Sequence, residues 1–367
     1  MSALDLLTQT PALLYAIIAL FALAVGSFLN VVIHRLPLMM EEEWRRECAH
    51  LAQADAEATA ASHAATGPVP SPVSPAAPPT SPSTAPPMAP PAAPATAMAP
   101  LLASPMAPDT APLTAPALAP PAALSSASAP ASSAAPSALL SLSRPGSHCP
   151  HCGHRIRAGE NIPLLSYLLL RGRCSACQQP INPRYPLVEA LTALLSVLVV
   201  WRLGLTWEAA AALLLTWGLI ALAFIDLDTQ LLPDSITLPL LWLGLLISLD
   251  HWYVTPSESI LGAVLAYLFL WTVYQLFKLT TGREGMGYGD FKLFAVFGAW
   301  LGWQALPLIL ILSSVVGAVI GVILLARSGR DRHTPLPFGP YLAAAGWIAL
   351  LWGESISGVY LHWSGLG

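Results

Sequence analysis

Charge is scarce in this 367-residue chain. Asp, Glu, Lys and Arg make up 10% of it, against roughly 25% in an average soluble domain. That shortage, with a mean hydropathy of +0.62, excludes an ordinary soluble enzyme. Basic residues are not in excess either. The formal net charge is −4, which argues against nucleic acid as a partner. Five cysteines are too few for a secreted disulfide scaffold of this length. The stretch before the first apolar run has no Lys or Arg and carries Asp5. No small-x-small cleavage site precedes a soluble domain, so that run is expected to stay in the protein rather than be removed as a signal. No GxGxG loop after a strand is present, so a soluble Rossmann pattern is missing too.

Long apolar runs are what the chain does have. A membrane crossing needs about 20 mostly apolar residues. Such runs lie near 11–33, 187–204, 207–227, 236–249, 259–279, 291–303, 306–326 and 338–361. The runs at 236–249 and 291–303 are short, which suits half-buried or re-entrant segments. Nine of the sixteen Lys and Arg residues fall between Arg35 and Arg184. Placing that loop in the cytoplasm puts both termini outside. The expected fold is all-α and polytopic, with about eight transmembrane helices and a cytoplasmic zinc-binding loop domain.

Composition divides the chain into five regions. Residues 1–33 hold the first span. Residues 34–57 are charged (Glu41, Glu42, Glu43, Arg45, Arg46, Glu47) and suit a short helix. Residues 58–147 are Ala, Pro, Ser and Thr with 22 of the 36 prolines, the composition of a disordered linker. Residues 148–186 hold four cysteines. Residues 187–367 hold the remaining spans.

Cys149 and Cys152 form one CxxC pair, Cys174 and Cys177 another. Two such pairs can complete a tetrahedral four-sulfur site, which suits Zn²⁺. Four thiolates leave no open position, so the expected zinc is structural. His148, His151 and His154 are possible substitute ligands. Free thiols or disulfides are the alternatives, and a reducing cytoplasm weakens the second. Cys48 stands apart as an unpaired thiol.

Acids inside a bilayer are costly, roughly 2.5–3.5 kcal/mol each on the lenient scale. Asp226, Asp228 and Asp234 end the third run, Asp290 opens the sixth, and Glu189 opens the second. The expected topology puts Asp226 and Asp290 at one depth on the cytoplasmic side. Two such carboxyls can activate water and protonate a carbonyl between them. Gly287 and Gly289 beside Asp290 leave room for a peptide backbone. The bland reading makes these acids helix caps. Asp228 points away from Asp226, and Asp234 reads as a turn or cap residue.

In these segments the sequence resembles the type IV prepilin peptidases. The resemblance rests on Gly26-Ser27-Phe28-Leu29-Asn30 through Pro37, the paired CxxC motifs, and Arg184-Tyr185-Pro186-Leu187-Val188-Glu189. Ile225-Asp226 through Leu232-Pro233-Asp234, Gly287-Tyr288-Gly289-Asp290 and Pro337-Phe338-Gly339-Pro340 complete it. It implies GxGD-type aspartyl proteolysis in the bacterial inner membrane, with Asp290 and Asp226 catalytic. It implies substrates that are prepilins and type II secretion pseudopilins. These would be cut on the cytoplasmic side between a leader-ending Gly and a residue that is usually Phe. It further implies methylation of the new amino terminus by S-adenosylmethionine, an activity typical of four-cysteine members. Asn30, Glu189 and the cysteine module are the candidates for that second site. The Ala/Pro tract departs from the family's usual compact loop. A non-enzymatic scaffold, a transporter or a presenilin-like protease are the competing readings.

Overall fold

The computed structural model describes residues 10–65, 141–143, 146–149, 151–283, 285–328 and 337–364. Most of the Ala/Pro-rich tract lies outside these residues. By contact density, Met1–Gln53 and Ala138–Gly367 form one compact unit and Ala54–Ser137 a second.

The described residues are built from helices, without strands. Helix α1 (Pro11–Ala65) runs through both the first apolar run and the charged segment, which were expected to be separate. Pro37 removes one backbone bond inside it. Beyond Pro37, the pairs Glu41–Arg45 and Glu42–Arg46 stand one turn apart, the spacing at which opposite charges support a helix. After the cysteine module, with its short α2 (Leu165–Leu169), come α3 (Arg184–Leu203) and α4 (Trp207–Thr229). Next are α5 (Asp234–Ile247), α6 (Pro256–Thr281), α7 (Tyr288–Leu301), α8 (Leu306–Ser328) and α9 (Gly339–Ser364).

Six of these helices, α1, α3, α4, α6, α8 and α9, are long and apolar enough to cross a membrane. The short runs at 236–249 and 291–303 become α5 and α7. Each has 14 residues, about 21 Å at 1.5 Å per residue, short of the roughly 30 Å hydrocarbon layer. Among the described residues six helices are thus long enough to cross and two are short, α5 partly exposed and α7 largely buried.

Helix α7 is the centre of the core. Ten of its 14 residues are buried, on every side of the helix. A helix that is apolar all round belongs inside a bundle. Close approach is needed to surround it, and glycines provide that. Gly262 of α6 and Gly298 of α7 face each other so closely that a Cβ on either would overlap the other's carbonyl. Gly244 of α5 lies against the Trp300 ring and Gly346 of α9 against the Phe297 ring. Polar side chains then tie α7 to its neighbours. Ser259 donates to the Ala299 carbonyl at 2.6 Å, and Trp300 Nε1 donates to the Leu240 carbonyl at 2.9 Å. Small residues and interhelical hydrogen bonds are the means by which helices associate without a hydrophobic driving force.

Gly298→Val should separate α6 from α7 and cost at least about 3 kcal/mol, the upper end for overpacking. Limited proteolysis of membrane-inserted protein will show faster digestion than for a Gly353→Ala control, where only a distant Ala349 methyl is met.

Candidate active site and metal centre

Three helix ends meet around two acids. Asp226 lies in the last turn of α4 and Asp290 in the first turn of α7. Both are buried, at 5% and 8% exposure. They are near enough for the Asp226 charge to act on Asp290. The third end is the start of α9. Its Gly339 N–H, one of the donors that every helix start leaves without an internal partner, donates to Asp226 Oδ2 at 3.0 Å. Asp290 lies in the first turn of α7, and its own backbone N–H donates to the carbonyl of Gly287, the residue that caps that helix. The capping reading of Asp290 does not hold: Gly287 is the cap, without a side-chain cap bond, and Asp290 lies inside the first turn. Nor does a cap require burial or a second acid beside it.

The neighbouring acids differ sharply. Asp228 is exposed and paired with Arg184, whose guanidinium also donates to the Phe224 carbonyl at 3.1 Å and lies over the Phe224 ring. Asp234 is the first residue of α5, and Lys292 Nζ donates to both its oxygens at 2.7 Å. The two cations beside the site are therefore held by the outer acids. Asp226 and Asp290 are both buried, and the charge of one acts on the other. Like charges so placed keep one of the pair protonated.

The glycines of the GxGD segment divide in function. A Cβ at Gly289 would stand 2.6 Å from Leu232 Cβ, so that side is filled by the protein itself. Gly287 meets only Asp290 Oδ2, at 4.0 Å, and keeps the approach to that carboxyl open. Leu232 also reaches Gly339, where a Cβ would lie 3.3 Å from Leu232 Cδ2 and 2.7 Å from Asp226 Oδ2. One leucine thus wedges between the starts of α7 and α9. The backbone donor at Gly339 is the feature that residue-type reasoning missed. Its only trace was the Pro-Phe-Gly-Pro run, in which prolines flank a helix start.

The four cysteines of the two CxxC motifs converge. The sulfurs of Cys149, Cys152, Cys174 and Cys177 all lie within 4.8 Å of one another. Each pair sits on the same turn. The Gly153 N–H donates to the Cys149 carbonyl, and the Gln178 N–H to the Cys174 carbonyl. Both turn residues have positive φ, 70° and 58°. Amides of Cys152 and His151 lower the Cys149 pKa to about 7, and amides of Cys177 and Ala176 lower that of Cys174. Cys177 accepts the Gln179 amide, yet desolvation and the three neighbouring thiols push it up to about 12. Four thiols this close cannot all ionise unless a cation lies among them. The Cys149–Cys177 sulfur separation is 3.8 Å, the edge of a tetrahedron with metal–sulfur bonds of about 2.3 Å. The donor set fits Zn²⁺ and leaves no open coordination position. None of His148, His151 and His154 belongs to the cluster; His154 instead lies 3.3 Å from the Glu160 carboxylate. Cys48 is exposed and apart.

Asn30 and Glu189 hold helices. Asn30 Nδ2 donates to the Tyr185 carbonyl at 3.0 Å, joining α1 to the start of α3. Glu189 is buried and accepts the Leu164 N–H at 2.8 Å. Leu164 has φ 55°, an uncommon conformation for a branched residue. Both side chains are engaged in packing, so neither is assigned to a methyl donor.

Comparison with known proteins places these features in context. Residues 20–203 match the Bacterial Peptidase A24 N-terminal domain, and residues 213–322 match the Type IV leader peptidase family. The chain is 43% identical over 366 residues to the prepilin leader peptidase/N-methyltransferase of Stutzerimonas stutzeri, covering 100% of both chains. It is 46% identical to the Aeromonas hydrophila protein of that name, covering 98% of this chain and 97% of the relative. For the Pseudomonas aeruginosa protein the identity is 44%, with 100% and 99% covered. No solved structure matches.

Cys174→Ser should reduce bound zinc from one ion per chain to near none, since three thiolates hold it far less tightly. Elemental analysis of purified protein checks this, and Cys48→Ser should leave the ion in place.

Proposed function

The chain belongs to the type IV leader peptidase family, and from that premise we propose that Asp226 and Asp290 are its catalytic pair. The protein is a multi-pass membrane enzyme that removes the leader from prepilins and methylates the product. The scaffold and transporter alternatives give way to it. The proposed substrates extend to type II secretion pseudopilins. The bond cut joins a leader-ending Gly to a residue that is usually Phe. The peptidase domain is 187–367, the zinc module 148–186 and the connecting linker 58–147. The protein sits in the inner membrane, with the module and both acids on the cytoplasmic side.

The observation that carries this assignment is the meeting of two buried acids from different helices, while Arg184 and Lys292 pair with Asp228 and Asp234 instead. One carboxylate, ionised, takes a proton from a water held between them. The water oxygen attacks the scissile carbonyl, and the protonated carboxyl donates to the carbonyl oxygen. The Gly339 amide fixes one oxygen of Asp226 and leaves the other for this chemistry. Gly287 lets the extended substrate backbone approach. Such substrates are apolar helices with charged leaders, so a cut at the boundary requires little unwinding within lipid. Zinc, held by Cys149, Cys152, Cys174 and Cys177, clamps the module and takes no part in hydrolysis. S-adenosylmethionine, when bound, supplies the methyl group.

Asp226→Asn or Asp290→Asn should each lower leader removal at least about 10³-fold, within the range for loss of acid–base catalysis. Asp228→Asn should retain most activity. The test is zinc-loaded protein in nanodiscs with a synthetic prepilin, mass spectrometry reporting both the cut and the added methyl. Full cleavage by the Asp226→Asn, Asp290→Asn double variant rejects the assignment. Gly339→Ala, which pushes a methyl against Asp226, should lower kcat about 10²-fold, the cost of a misplaced reacting group, with little change in KM.

A further inference from the structure

The loop between the two cysteine pairs carries a patch that nothing in the protein covers. Leu168 and Leu169 of α2 are 70% and 73% exposed. Ile162 and Leu165 are exposed beside them, so the apolar positions recur at helical spacing. Soluble surfaces rarely group large aliphatic residues in this way. The module that carries the patch is also rich in arginine. Arg171 and Arg173 follow the patch, and Arg155 and Arg157 line an open cleft of about 550 Å³ on the same module.

The location of the patch identifies what covers it. The residue before α2 is Leu164, whose N–H is bound by Glu189. Glu189 lies five residues into α3, a helix long and apolar enough to span a membrane. At 1.5 Å per residue that is about 7 Å along the helix from its start. Helix α2 therefore begins beside the first turns of a spanning helix, not out beyond its end. Those turns are themselves apolar and exposed at Tyr185 and Leu187. The Arg184–Asp228 pair shows that this is also the end of the bundle holding the acids. An exposed apolar face that starts beside the first turns of a spanning helix, on an arginine-rich module, has the chemistry of an interfacial anchor.

We propose that α2 is a membrane-surface anchor of the zinc module. Its leucines insert among the acyl chains next to α3, and its arginines lie against anionic headgroups. The zinc clamp then holds the two ends of an inserted hairpin, rather than a loop free in solution. Glu189 fixes the point at which the hairpin enters.

The test uses full-length, zinc-loaded protein in nanodiscs. The zinc holds the four module thiols, so a polarity-sensitive thiol probe reacts at Cys48 in the native chain. In a Cys48→Ser, Leu168→Cys variant it reacts at position 168. The 168 probe should emit at shorter wavelength than the Cys48 probe and be quenched by lipids bearing a nitroxide near the headgroup. The shift should be larger in discs with anionic lipid than in purely zwitterionic ones. In the unsubstituted protein, lipids with a photoreactive acyl chain should label residues 162–169. A 168 probe as water-exposed as that on Cys48, with no photolabelling, overturns the proposal. Protection that arises only on adding prepilin overturns it in favour of a substrate surface. Equal shifts in both disc types overturn the part given to the arginines.

Discussion

Two carboxylic acids buried side by side in an apolar bundle are the constraint around which the protein is organised. Each lies at a helix end, and Asp226 receives a backbone donor from a helix start, the Gly339 N–H. Helix starts carry unpaired N–H groups and a partial positive charge. The bundle thus holds the acids without a neighbouring cation, which would suppress the shared proton that hydrolysis requires. The cations that do approach are bound by Asp228 and Asp234. Those outer pairs hold the helix ends together, so the four acids divide into a buried pair and a cation-bound pair.

The shortness of α7 follows from the same constraint. An acid at the tip of a full-length span would stand at the headgroups, in water. A 14-residue helix enclosed by its neighbours keeps Asp290 buried in its first turn. Encasement demands backbone contact, hence Gly262 against Gly298, and the interhelical bonds of Ser259 and Trp300. Leu232 completes the seal between α7 and α9.

Much of this was legible in the residues. Apolar runs marked the helices, because their length and hydropathy are local properties. The CxxC spacing marked the cysteine cluster, because thiolates have few other reasons to recur in that pattern. The two acids stood out through the cost of placing charge in lipid. What stayed hidden was of another kind. The run at 291–303 reads the same whether it faces lipid or protein, so its central position could not be seen. The Gly339 N–H is a backbone group with no side-chain signature. Gly289 looked like room for substrate, but Leu232, 57 positions earlier in the chain, fills that room. The change from apolar to charged composition after residue 33 suggested two segments, where i,i+4 ion pairs help carry one helix through.

Cells adjust bilayer thickness and fluidity with temperature and growth, and spanning helices respond by tilting or sliding. Helices α1, α3, α6 and α8 present broad apolar faces outward and must feel such changes. Helix α7 presents almost none. Because its neighbours absorb the mismatch, the geometry at its tip is insulated from the lipid, and one peptidase can work unchanged in membranes of differing composition.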